Sequence, residues 1–568
     1  MTISPAIRSP RAADPALDSA RPPAEMPPRR PLRLLGLALL GCVGLGLAAP
    51  AAAQQDTEEG ASAEEFPLYR TVTGPLHRPV TTDSPGAQAY FDQGLQLIYA
   101  FSLPQAIASF EEAQRRDPAC AMCWFGEAWA RGPYLNGGMR ASNAAEAFEA
   151  IQRAVTLAGD EGGATEVERA MIDAMSLRYT EVEDEERRPR LDSLYSRAMH
   201  AVHQEFPDDL DVGTLYAESL MLLNPARGEY ELDDPFVQRI HAVLEDVLEK
   251  DITHPGACHI YIHATEATER PEKAEECADH LGEAVPGSSH INHMPSHTYN
   301  RIGRWNSAVR SNIDAWHADQ RAAWDEGISY GATHNLHMLL FAGSMAGQGA
   351  VSLLAAETYA DQVAGGVFYE ALVMLRFGWF EKILALDPAE RPEQPIQRGL
   401  FDFARGYAHL RDGDPHLARA YLARVGETAE AAGDSVQIRG ATAELVLGIA
   451  GHILEGEIVG EAGDLDGAIA HFEDAVELHD RIPYAEPELL NFASRHWLGA
   501  ALLEADRAEE AEAVYRASLE KHPHNGWSIR GLEQALRAQG RTAEAEETRE
   551  WFREAWSETD TLIRGSIF

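Results

Sequence analysis

The chain has 568 residues, 45% apolar and 24% charged, with a formal charge of −42 and a pI near 4.8. That apolar content supports a buried core. The charge repels phosphate backbones and anionic lipid heads, so nucleic acid and membrane surfaces are excluded as expected partners.

The N-terminus reads as an address. Residues 1–28 are rich in Pro, Ala, Ser and Arg without periodicity. Arg29, Arg30 and Arg33 then precede the apolar run Leu34–Ala49, and Ala51-Ala52-Ala53 stands before Gln54. Charged, apolar and small-residue stretches in that order make a cleavable secretory signal over 1–53, and the expected location is periplasmic or secreted. The run is shorter than the ~20 residues of a spanning helix. Arg29-Arg30-Pro31-Leu32-Arg33 loosely resembles a twin-arginine signal, which would carry a folded protein. Leu39-Leu40-Gly41-Cys42 loosely resembles a lipoprotein box and fits less well, because leucine precedes the glycine. Without residues 1–53 the chain keeps 42 basic and 87 acidic residues, a net −45. Residues 54–80 are polar, then extended, and are expected to form a poorly ordered arm.

From residue 81 to 568 the pattern is that of a tetratricopeptide-like helical solenoid, an all-α fold of stacked antiparallel helix pairs. The repeat is 34 residues with small and aromatic residues at fixed places. One copy starts at Ala87, with Gly94, Leu97, Ala106, Phe110, Ala113 and Pro118 in repeat positions 8, 11, 20, 24, 27 and 32. Another starts at Phe492, with Gly499, Leu502, Ala511, Tyr515 and Pro523 in matching slots, and Ala468, Phe472 and Ala475 follow Gly463-Asp464 in a third. Pro118 and Pro523 end second helices, since proline cannot continue one. Helix pairs are predicted near 121–158, 164–206, 209–250, 255–286, 289–320, 330–363, 367–390, 397–432, 436–480, 492–522 and 526–557. The loops Gly132–Arg140 and Asn224–Asp234 exceed the repeat and are expected over one face.

After the signal four cysteines remain: Cys120, Cys123, Cys258 and Cys277. In an oxidising compartment an even number suggests pairing. Cys258 and Cys277 fall at facing positions of one helix hairpin and are expected to form a disulfide. Cys120-x-x-Cys123 lacks the histidine of a haem attachment motif and reads as packing or a local bridge, with metal or redox use the second alternative.

Ten of the 22 histidines lie between 254 and 337, in HPGACHIYIHATEA (254–267), HINHMPSHTYN (290–300) and THNLHMLL (333–340). His259 and His263 are four apart, as are His293 and His297, and residues four apart share a helix face. Each pair recurs after 34 residues, one repeat length. Both pairs hold positions 5 and 9 of successive first helices, which point into the concave groove rather than into the packing. His334 and His337 continue the pattern on the next first helix. Glu266 and Asn300 hold position 12. Pro295 inside the second pair implies a first turn or a kink there.

Neutral imidazole suits zinc, copper and iron. The expected centre is therefore a transition-metal site of His259, His263, His293, His297, His334 and His337, with Glu266 at its edge as ligand or general base. Copper, zinc and iron all fit; affinity order favours copper, and Met294 and Met338 are near enough in sequence to add soft ligation. Tyr261, Tyr299 and Asn335 are candidates for catalytic or substrate contacts. His254, His280, His290 and His317 are expected to support, or to lie in loops or at the surface. Duplication alone copies residues between repeats, but these copies avoid the packing positions.

The stretches FDQGLQLIYAF, AIASFEEAQRRDPACAMCWFGEAWARGP, HPGACHIYIHATEA, HINHMPSHTYNRIGRW and HPHNGWSIRGLEQALRAQGR resemble those of a large set of bacterial secreted tetratricopeptide proteins. The resemblance implies the fold and the export; it brings no settled activity. Two functions follow from the residues: a metal-dependent oxidoreductase or hydrolase acting on a small molecule in the groove, or a scaffold that binds peptide or protein without catalysis. No H-E-x-x-H motif or serine triad supports a named hydrolytic class.

N-terminal sequencing of protein recovered from its native compartment should read from Gln54. A chain starting at Met1, or at an acylated Cys42, would overturn the signal assignment.

Overall fold

The structure is a computed structural model that describes residues 66–224, 230–324, 327–433 and 435–568. The signal, its cleavage site and Cys42 lie outside the described residues. The body is helical throughout. Among the described residues the strands are one short hairpin, Gln437–Ile438 with Ala441–Thr442.

Helices run in antiparallel pairs, each packed chiefly on its sequence neighbours, as the repeat pattern predicts. The first pair is Pro85–Tyr99 and Leu103–Arg116. Ser84 caps its first helix by accepting from the Ala87 N–H, with Pro85 at the start, where no donor is missed. The repeat signature has a steric cause. Phe110 is fully buried, and a Cβ at Gly94 or at Gly126 would collide with its ring. Tyr515 sits between Gly499 and Gly531 in the same way near the other end. A small residue at position 8 thus makes room for the aromatic at position 24, and two successive repeats close on one ring.

The superhelix turns tightly enough that distant repeats meet its middle. Gly256, near the start of Pro255–Thr265, faces the Tyr99 ring. From the other end, Trp305 Nε1 donates to Pro523 O at 2.9 Å, Asn491 Nδ2 to Ser344 Oγ at 2.9 Å and Trp527 Nε1 to Ser344 O at 3.0 Å. The histidine-rich repeats are therefore clasped by both ends of the body.

The part of the expected loose arm that the structure describes, from Phe66 onward, is fixed against the body. Tyr90 OH donates to Phe66 O, the Gly287 N–H donates to Val72 O, and Val72 is buried. Arg78 reaches Asp209 at 2.8 Å and Asp211 at 2.5 Å. Polar composition is misleading here because the polar groups serve as tethers, to the first helix pair and to repeats farther along the chain.

Both cysteine pairs are bridged. Cys258–Cys277 spans 5.0 Å between Cα atoms and joins the two helices of one hairpin; Cys120–Cys123 spans 5.4 Å across the start of Ala121–Arg131. Pro295 divides its helix into Ser289–His293 and Pro295–Ile302, but Met294 between them keeps right-handed helical angles, so the two histidines still share a face. No helix of the described residues is long and apolar enough to cross a membrane.

Asp211 is the polar anchor of the N-terminal half. His254 Nδ1 accepts from the Ala257 N–H, so its Nε2 carries the proton and donates to Asp211 at 3.2 Å; Tyr99 OH donates to the same carboxylate. Burial alone would push this carboxyl up. Arg78, His254 and Tyr99 outweigh it and hold the group well below the usual carboxylate range. A depressed carboxyl adds stability above its unfolded pKa of about 3.9, and that stability is lost as pH falls. Asp211→Asn should cost about 3 kcal/mol in thermal unfolding at neutral pH. The variant should also lose stability less steeply than wild type between about pH 5 and pH 2; equal slopes would show that the cluster does not carry the acid sensitivity.

Candidate metal centre

Three successive first helices supply the histidines: Pro255–Thr265, the divided Ser289–Ile302 and Ala332–Ala346. The imidazoles of His259, His263, His290, His293, His297 and His334 form a continuous array. Ring centroids lie 5.0 Å apart for His259–His263, 4.8 Å for His259–His290, 5.1 Å for His290–His293, 4.8 Å for His293–His297 and 4.8 Å for His293–His334. Within it, His259, His263 and His290 form one group, and His293, His297 and His334 a second, whose potential ligand atoms all lie within 4.8 Å of one another. Glu266, His297 and Glu486 form a third, overlapping group.

Local contacts fix the ring orientations. His259 Nδ1 lies 2.6 Å from Tyr99 O, a contact in which the ring must donate, which leaves Nε2 as the acceptor atom. That Nε2 is 3.1 Å from His290 Nε2. His263 Nδ1 is 2.9 Å from Glu266 Oε1. His297 Nδ1 lies 2.8 Å from Glu266 Oε2 and 2.7 Å from Glu486 Oε2, in directions that suit an ion pair more than a hydrogen bond. Phe101 packs on His259 at 4.3 Å and on His290 at 5.4 Å, and Tyr330 packs on His290 at 4.5 Å.

The electrostatics divide the rings. Burial and the neighbouring imidazoles drive His290 and His293 well below the ordinary histidine range. His334 is pushed down to about 3 by burial and by His297. At His297 burial also opposes charge, but Glu486 and Glu266 overcome it and push the ring up to about 10. The neutral form is thus favoured at His290, His293 and His334, and the charged form at His297. Neutral imidazole is the ligating form. Among the described residues, His290 Nδ1, His293 Nδ1 and His297 Nε2 are buried without a hydrogen-bond partner. Each such atom costs about 1–3 kcal/mol, which a cation among the rings would offset.

The array opens on a cavity of about 640 Å³ lined by His263, His290, His293, His297, His334 and Glu266. The loop expected over one face, Gly132–Arg140, reaches its rim: Asn136 Nδ2 and Tyr134 OH each lie 3.4 Å from Tyr330 OH. Tyr484 and Glu486, from the segment between Leu465–Asp480 and Arg495–Glu504, close another side. Arg439 donates to Glu486 O at 2.6 Å and so holds that segment in place.

Several expected residues lie elsewhere. His337 does not join the array: it packs 4.4 Å from the Tyr369 ring, with Nδ1 3.4 Å from its hydroxyl. Spacing of three on a helix permits a shared face but does not require both side chains to meet the same neighbour. Tyr261 OH donates to Glu245 at 2.7 Å, and Tyr299 OH to Asp279 at 2.8 Å with Arg304 over its ring; both phenols serve the packing of neighbouring helices and do not line the cavity. Asn335 Nδ2 donates to Asp319. Met294 lines the cavity, whereas Met338 and Asn300 line a neighbouring one of about 280 Å³. His254 is a helix cap, and His280 and His317 are exposed.

Two participants escaped the sequence reading. His290, expected to be peripheral, is three residues before His293 and joins the array, a spacing that was visible. Glu486 is far along the chain, and no local pattern connects it to the histidines.

No family model matches the chain, and no curated protein matches it. Solved structures that the chain matches include the APC/C hetero-tetramer Cut9–Hcn1, at 13% identity and TM-score 0.27, covering 84% of this chain and 76% of that one. The TPR domain of P58(IPK) aligns at 12% identity and TM-score 0.22, covering 80% and 99%. The human IFIT1 dimer with m7Gppp-AAAA aligns at 11% identity and TM-score 0.28, covering 83% and 90%. Likeness this distant carries no inference about what the chain does.

Proposed function

We propose that this is an exported metal-binding solenoid whose interior histidine array holds a transition metal, with a metal-dependent reaction on a small molecule in the adjoining cavity. The observation that carries the reading is a set of buried imidazoles in mutual contact, several with ring nitrogens that meet no hydrogen-bond partner among the described residues. Copper and zinc suit an imidazole-rich donor set, and iron suits one with carboxylates beside it. The two disulfides support export to an oxidising compartment.

The chain's residues divide the work. Tyr99 O fixes the His259 tautomer, and Glu266 orients His263 and His297, as acceptors behind metal-binding histidines do. Glu266 is therefore a positioning residue in this reading rather than the general base. Glu486 faces the cavity and is the better candidate to hold or move a proton there. A bound ion supplies Lewis-acid or redox chemistry. Phe101 and Tyr330 pack on the rings and shield part of their surface. A scaffold for extended peptides needs an open groove, whereas these rings are enclosed; this favours the metal reading over the peptide-binding one.

Protein purified without an affinity tag should carry copper, zinc or iron by elemental analysis. His263→Ala with His297→Ala should reduce bound metal at least tenfold while helical content by circular dichroism stays within a few per cent (~) of wild type, because these rings are not part of the repeat packing. Metal-free wild type that also fails to take up any of the three ions would defeat the proposal.

A further inference from the structure

The array is built as one unit used twice. In the first triad, His259 and His263 come four apart from one first helix, and His290 comes from the next. In the second, His293 and His297 come four apart from that next helix, and His334 comes from the one after. We infer that the centre holds two metal ions side by side, one in each histidine triad, with the cavity giving a small molecule access to both. This rests on the reading of the array as a metal centre.

Donor number supports two ions. Six imidazoles are more than a tetrahedral ion takes, and with the Glu486 carboxylate they are more than an octahedral one takes. Donor spacing agrees. Without an ion, His290 Nε2 donates to His259 Nε2 at 3.1 Å; exchanging that shared proton for a cation keeps a spacing of neighbouring ligands on one ion, about 2.9–3.4 Å for bonds of about 2.0–2.1 Å. The triads also adjoin: His290 and His293 are 5.1 Å apart between centroids, and His263 and His297 are 6.1 Å apart. Two-metal centres, with ions about 3.5–4 Å apart, need ligand sets in such contact.

Glu266 links the halves. One of its oxygens is 2.9 Å from His263 Nδ1 and the other 2.8 Å from His297 Nδ1, so a single carboxylate orients one ligand of each triad. The triads are not equivalent. The first is deeper, under Phe101, with imidazole donors alone; the second has Glu486 beside it and the half-buried His334. The cavity wall includes residues of both triads, so a small oxygen-donor ligand there can approach both ions.

A separate, partly exposed group, His452, His471 and Asp474, could take an ion of its own. The test therefore uses the mature chain carrying His452→Ala and His471→Ala, stripped with chelator and loaded with Cu(II) or Zn(II) alone. Elemental analysis should give two ions per chain, and His290→Ala or His334→Ala should each lower that to one. With Cu(II), the paramagnetic resonance spectrum should show coupled ions, a readout that needs no further variant and survives any folding defect in one. One ion per chain, lost alike on replacing His259 or His293, would overturn the two-ion assignment and leave the metal reading standing. So would two ions whose spectrum is that of isolated Cu(II) accounting for all the copper, or two ions unaffected by either triad substitution. No bound ion at all would remove both.

Discussion

A helix pair of this kind cannot bury its own apolar face. Everything else in the body follows from the need to stack, and near both ends of the body the stack depends on one contact. The aromatic ring at position 24 occupies the space left by a glycine at position 8 of its own repeat and of the next, as Phe110 does between Gly94 and Gly126 and Tyr515 between Gly499 and Gly531. This fit fixes the rotation of the first helices that it joins near both ends of the body; in the histidine repeats Ala278 and Asn312 stand at position 24, and the stacking there rests on other contacts. Residues that recur at the repeat length are returned to the same side of the stack.

Stacking at the repeat length explains how a one-dimensional repeat produces a three-dimensional cluster. His259 and His263 on one helix and His293 and His297 on the next are brought ring against ring, and the array extends to His334 on the third. The break at Pro295 does not disturb the array, since Met294 stays helical on either side of it. The histidines occupy positions that the packing leaves free, so the scaffold does not need them. Their burial comes instead from elements added to the plain repeat: Phe101 from the first hairpin, Tyr330 with the 132–140 loop, and the segment carrying Tyr484 and Glu486.

Burying that many titratable rings opposes folding. Desolvation drives His290, His293 and His334 toward the neutral form, while two carboxylates keep His297 charged. Ring nitrogens without hydrogen-bond partners each cost about 1–3 kcal/mol. A group whose retention costs stability in the interior points to a role beyond packing, and for imidazoles in this arrangement the proposed role is ligation.

The sequence by itself determined the all-α solenoid, the placement of nearly every helix pair, the Cys258–Cys277 bridge and the histidine pairs that share a face, because each of these depends on spacing along one or two adjacent helices. It misread residues 66–80, where polar side chains such as Arg78 act as tethers to partners more than a hundred residues away. It grouped His337 with His334, and it pointed Tyr261 and Tyr299 at a site that neither reaches. Only the tertiary structure decided these, along with the enclosure of the rings and the arrival of Glu486 beside His297. The reason is physical: helical periodicity specifies the face on which a residue lies, but what that face meets is set by how the superhelix closes, and closure is the summed result of many small rotations that no single repeat encodes.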